Sequence, residues 1–142
     1  MQPDEARAAD VRAWIVKAGD DMRSATHNLS AEPPLLEDTA FHYQQTVEKL
    51  YKAFLAWHDI PFRKTHSLEE LGRQCSSVGP SLRSLVDQAS PLSEYAWRFR
   101  YPGPSEPLTR PEADDALAAA RAAADQILGR LPGALRPEAF GR

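Results

Sequence analysis

The chain has 142 residues, 42% of them hydrophobic and 26% charged, with a net charge of −3 and a single cysteine. That length closes one core without a metal or disulfide staple, and Cys75 has no intrachain partner for a bridge. The negative balance excludes a global basic field for nucleic acid, and no apolar run approaches the ~20 residues of a membrane span.

The opening "MQPDEARAADVRAW" lacks the basic start and apolar block of a secretory signal, which points to the cytoplasm. From Val11 to Leu29, the residues Val11, Trp14, Ile15, Ala18, Met22, Ala25 and Leu29 recur at threes and fours and paint one stripe on a first helix. "SAEPPLLEDT" interrupts it, because proline's fixed φ and missing N–H make a helix interior costly. A second helix starts between Leu36 and Thr39. Its core face is Tyr43, Val47, Leu50, Tyr51, Phe54, Leu55 and His58, the last a core or dimer-face residue. Gln45, Glu48, Lys49 and Lys52 fall on its other side, where spacing alone predicts a solvated row with small i,i+4 pairs.

Pro61 ends the second helix, and Ser67 with Glu70 has the form of a capping box opening a short third helix to about Cys75. "SSVGPSL" is a turn, with Pro80 or Ser81 starting a fourth helix that carries Leu82, Leu85, Val86 and Ala89. Pro91 kinks or divides it. "YPGPSEPLTRP", with four prolines in eleven residues, is a loop. Thr109, Pro111 and Glu112 open a fifth helix to about Leu131, its stripe being Ala113, Ala116, Leu117, Ala120, Ala124, Ile127, Leu128 and Leu131. The predicted fold is an all-α, antiparallel up-and-down bundle of five to six helices over residues 1–131. Residues 132–142 form a mobile tail on this reading, being rich in proline and glycine with no periodic face.

"QTVEKLYKAFLAW", "KTHSLEEL" and "YAWRFRYPG" together resemble the HEPN domain family, over about residues 8 to 131. The matching positions are Gln45, Glu48, Lys49, Lys52 and Ala53 on helix two, Thr65, His66, Ser67 and Leu68 at the start of helix three, and Arg100, Tyr101 and Pro102 after helix four. The resemblance implies a helical bundle, often dimeric, and one of two activities. Many such domains are metal-independent endoribonucleases in which four to six residues separate an arginine from the histidine that follows it. Here Arg23 and His27 have three residues between them, Arg63 and His66 have two, and no histidine follows His66. The other branch sits beside minimal nucleotidyltransferases, in toxin–antitoxin-like pairs, and binds nucleotides or docks on the transferase.

The reading favoured at this stage is a non-catalytic nucleotide-binding or regulatory partner of such a transferase, acting as a homodimer. A ribonuclease toxin with displaced catalytic residues and a helical protein–protein interaction module are the alternatives. Arg98, Arg100 and Tyr101 are the candidate ligand residues, with Lys49 and Lys52 as neighbours if helices two and four face one cleft. Guanidinium groups pair with phosphate, and aromatic planes stack bases. Against this, Tyr95, Trp97 and Phe99 also read as anchors of helix four in the core, with the arginines facing water. His66, placed just before Ser67 at a helix start, reads as a residue that caps or packs its turn rather than one that catalyses. No histidine pair has metal-chelating spacing, so no metal or cofactor is expected. Cys75 has no adjacent base in the sequence, and no glycine-rich phosphate loop is present.

Overall fold

A computed structural model describes residues 3–103 and 106–136. Among them are five α-helices, α1 (Pro3–Leu29), α2 (Leu36–Trp57), α3 (Leu68–Val78), α4 (Arg83–Ala89) and α5 (Arg110–Leu128), and no strand. Three 3-10 segments complete the fold, at Pro80–Leu82, Ser90–Ala96 and Gly133–Leu135. The all-α bundle expected from periodicity is the observed architecture. None of the described helices is long and apolar enough to cross a membrane.

α1 and α2 form an antiparallel hairpin. Contacts run Asn28 to Asp38, Thr26 to Tyr43, Asp21 to Lys49 and Trp14 to Lys52, so numbers fall along one helix as they rise along the other. α1 starts at Pro3, ahead of the apolar stripe, because no proline or glycine stops it there. Its stripe is buried as expected at Val11, Ile15, Ala18 and Ala25.

α2 is the central element, packed against α1, α3, α5 and the Ser90–Ala96 segment. Tyr43, Leu50, Tyr51, Phe54 and Leu55 fill the core with Ile15, Leu71, Leu85 and Ile127 from its neighbours. The helix ends in a left-handed turn at Asp59, φ 56°. There the Asp59 N–H donates to Ala56 O at 3.1 Å and the Ile60 N–H to Leu55 O at 2.9 Å, satisfying carbonyls that the helix leaves open. His58 is the C-cap of α2 and exposed, its ring 4.5 Å from that of Phe54. It is therefore not a core residue, since the helix has already turned away from the core.

Ser67 caps α3 by accepting from the Glu70 N–H at 3.1 Å. The second half of the expected box is absent: Glu70 turns outward to Arg63, whose Nε donates to it at 3.1 Å, and Thr65 Oγ1 takes the Ser67 N–H. Gly72 lets α3 approach α4, since a Cβ there would lie 2.6 Å from Val86 Cγ1. Pro91 divides the fourth helix. Without an N–H it cannot continue the α ladder, and the chain tightens into the 3-10 segment Ser90–Ala96.

α5 opens on a complete capping box, with the Thr109 N–H donating to Glu112 Oε1 at 3.0 Å and the Glu112 N–H to Thr109 Oγ1 at 3.3 Å. Its small buried residues, Ala113, Ala116, Ala120 and Ala123, bring it close against α2. Of the segment expected to form a mobile tail, Gly133–Leu135 make a turn against α1 with Leu135 buried, and residues 137–142 lie outside the described ones.

Candidate functional site

The polar row of α2 is not solvated. Because α2 is surrounded, Gln44, Gln45, Glu48 and Lys52 are buried and must satisfy one another. Glu48 is the hub. Its Oε1 accepts from Gln44 Nε2 at 3.2 Å, Gln45 Nε2 at 3.3 Å and His66 Nδ1 at 2.9 Å, and its Oε2 accepts from Lys52 Nζ at 2.9 Å. Lys52 also lies over the rings of Trp14 and Phe62, at 5.3 and 5.9 Å. A second network faces α1, where Asp21 pairs with Lys49 and with His42 Nδ1, the latter at 2.8 Å.

Where the segment Ser90–Ala96 and the chain after it cross the N-terminal half of α2, they leave two adjoining cavities that share Phe41 and Arg100. The smaller, about 510 Å³, is lined by buried Gln45 of α2, by His66, and by exposed Trp97 and Tyr101. The larger, about 770 Å³, is lined by Leu36, Phe41, Tyr95, Phe99 and Leu108, with Glu37, Asp38 and His42 at its polar end. Burial pushes the Tyr95 phenol above its ordinary range, reinforced by the Glu112 carboxylate, so this wall stays neutral.

The Arg100 guanidinium lies between these cavities, its carbon 4.6 Å over the Phe41 ring. It donates no hydrogen bond and forms no ion pair among the described residues. Five N–H donors in a flat fork are thus unclaimed on a surface that excludes water from one face only. Arg98 is different. It donates to Glu94 Oε1 at 3.2 Å and to the Glu106 carbonyl at 3.1 Å, and its own side chain is 19% exposed. It ties the proline-rich loop to the body and has fewer donors left for a ligand.

Of the residues singled out from sequence, Gln45, His66, Arg100 and Tyr101 come together at one cavity, with Trp97 beside them. Lys49 and Lys52 do not join them. The structure holds Lys49 on Asp21 of α1 and Lys52 on Glu48, so the cleft is not the shared face expected for them. Thr65 serves the turn before α3, and Pro102 is exposed, preceding Gly103 with φ 149°, a conformation that favours glycine. Tyr95 is a core anchor as the bland reading has it, and Phe99 is partly buried, but Trp97 and Tyr101 are 62% and 81% exposed. Phe41 and His42 were not legible as site residues; the available signal was an aromatic off the apolar stripe, one turn before Gln45. Cys75 is buried and its thiol is pushed up by burial, which makes it inert as a nucleophile. Among the described residues no group of three or more His, Cys, Asp or Glu could hold a metal ion.

Fold and site together define an all-α bundle with a hydrogen-bonded polar spine and an arginine–aromatic cleft. A family model of the HEPN domain matches residues 11–127, and the chain belongs to that family. No curated protein and no solved structure gives a match.

Proposed function

We propose that this HEPN-family chain binds a nucleotide or RNA phosphate at Arg100 and acts, without catalysing a reaction of its own, as the regulatory partner of a minimal nucleotidyltransferase. The observation that carries the reading is the Arg100 guanidinium, over the Phe41 ring and unclaimed by any acid among the described residues, between two cavities. Hydrogen bonds from a guanidinium to phosphate are charge-assisted, and Trp97 and Tyr101 offer planes on which a base can stack. The absence of an arginine and a following histidine with four to six residues between them supports the non-catalytic branch. A two-fold homodimer through residual apolar surface goes with this reading, and exposed Leu35, Trp97 and Tyr101 supply such surface. Chemical-shift titration of the full chain with ATP and GTP tests it: shifts centred on Arg100, Trp97 and Tyr101 support the site, and shifts elsewhere or none contradict it. Light scattering that returns a monomer at micromolar concentration contradicts the dimer.

A second reading is favoured by one observation. His66 is oriented by the buried Glu48 carboxylate and lines the same cavity as Arg100. A carboxylate-held imidazole opposite a guanidinium is an arrangement that moves a proton and stabilises phosphate charge, as a ribonuclease with displaced residues requires. RNA cleavage in the presence of a metal chelator, lost in His66→Ala, decides for it; intact RNA decides against it.

A further inference from the structure

Gln45 lines the same cavity as Arg100, and what it offers a ligand rests on Arg100 holding the phosphate. The Glu48 carboxylate only accepts, and this orients every amide around it. Gln44 Nε2 lies 3.2 Å from Glu48 Oε1 and 3.1 Å from the His66 carbonyl, so the Gln44 nitrogen faces two acceptors. Its Oε1 therefore turns to Gln45, whose Nε2 lies 2.6 Å from that oxygen and 3.3 Å from Glu48 Oε1. Exchanging N and O in either amide would set oxygen against oxygen.

The consequence is an acceptor without a partner. Gln45 Oε1 takes no hydrogen bond among the described residues, on a side chain that is nine-tenths buried and lines the smaller cavity. His66, exposed and paired through Nδ1 with Glu48, lines the same cavity. The inner side thus offers the Gln45 acceptor, the outer side the planes of Trp97 and Tyr101, and Arg100 the positive charge. A flat ring with a donor on its edge and an anion on its tail satisfies all three.

We infer that Gln45 reads the base: an exocyclic amino group of the nucleobase donates to Gln45 Oε1. The cavity then prefers adenine and cytosine nucleotides to analogues carrying hydrogen or a carbonyl at that position. Such an analogue covers that oxygen without giving it a donor, or faces it with another acceptor, which is the costlier side of hydrogen bonding.

Calorimetry on the full chain with four ligands tests this: AMP against purine riboside 5′-monophosphate, which lacks only the amino group, and CMP against UMP. The amino-bearing member of each pair binds about tenfold more tightly, in line with one buried hydrogen bond. In Gln45→Met, AMP weakens to the level of the purine analogue while the analogue binds as before. Equal affinities within both pairs in the unaltered protein overturn base reading and leave the phosphate site standing. Binding by none of the four overturns both. A folded Gln45→Met protein in which all four weaken alike reduces Gln45 to a structural role and also overturns the inference. If that variant does not fold, the paired comparison in the unaltered chain decides.

Discussion

Lys52 Nζ and Glu48 Oε2 lie 2.9 Å apart on successive turns of α2, with side chains only 9% and 3% exposed. A charge pair so enclosed contributes little over an apolar pair of the same shape, but breaking it strands a charge in the core. Lys52→Ala therefore destabilises the fold by about 3–5 kcal/mol in urea unfolding. Arg110→Ala, which removes an exposed i,i+4 pair with Asp114, changes stability by less than ~1 kcal/mol. Similar losses in both variants contradict the buried network.

Tyr51 carries the opposite prediction. Its hydroxyl is buried with no hydrogen-bond partner among the described residues, so the folded state carries a desolvation cost that the unfolded chain does not. Tyr51→Phe removes that oxygen and keeps the ring, and thermal unfolding should show a gain of up to about 1 kcal/mol. A clear loss would mean that the hydroxyl has a partner after all.

Asp59 ends α2 in a left-handed conformation that costs a side chain roughly 1 kcal/mol and glycine nothing. Asp59→Gly accordingly stabilises by about 0.5–1 kcal/mol, part of the gain being offset by the freer unfolded chain. Destabilisation by the same substitution would show that the carboxylate does more than occupy the turn.

Glu112 gives the pH dependence. The Thr109 N–H, and then its hydroxyl, hold the Glu112 carboxyl below the ordinary carboxylate range. A carboxyl lowered by folding stabilises the folded state fully above its unfolded value, roughly pH 4.3, and loses that contribution as pH falls through the lowered folded value. Stability of the unaltered chain therefore falls on the acid side more steeply than that of Glu112→Gln. Parallel acid limbs in the two proteins contradict the capping box.

What could be read from sequence follows from what spacing reports. The buried faces of α1, α2 and α5 were legible because apolar residues at threes and fours have one common explanation, and Thr109 with Glu112 marks a helix start by chemistry local to four residues. The burial of Glu48 and Lys52 was not legible, since a polar row at that spacing looks the same on a solvated helix and inside a surrounded one. Trp97 and Tyr95 likewise have opposite fates, because residues two apart lie on opposite sides of a helical turn and only the packing of the segment decides which side is buried. The meeting of Arg100 with Phe41 and Gln45 depends on how that segment crosses α2. No local pattern encodes the crossing.

Arg100 and Arg63 are both exposed arginines, but Arg63 is held by both oxygens of Glu70, whereas among the described residues Arg100 has only the Phe41 face. The most direct test is calorimetric titration of ATP into the unaltered chain, Arg100→Ala and Arg63→Ala at two salt concentrations. The account predicts about tenfold or greater weakening in Arg100→Ala, little change in Arg63→Ala, and affinity that falls as salt rises because the contact is partly exposed. Equal binding by the unaltered chain and Arg100→Ala, or a larger loss in Arg63→Ala, would contradict it.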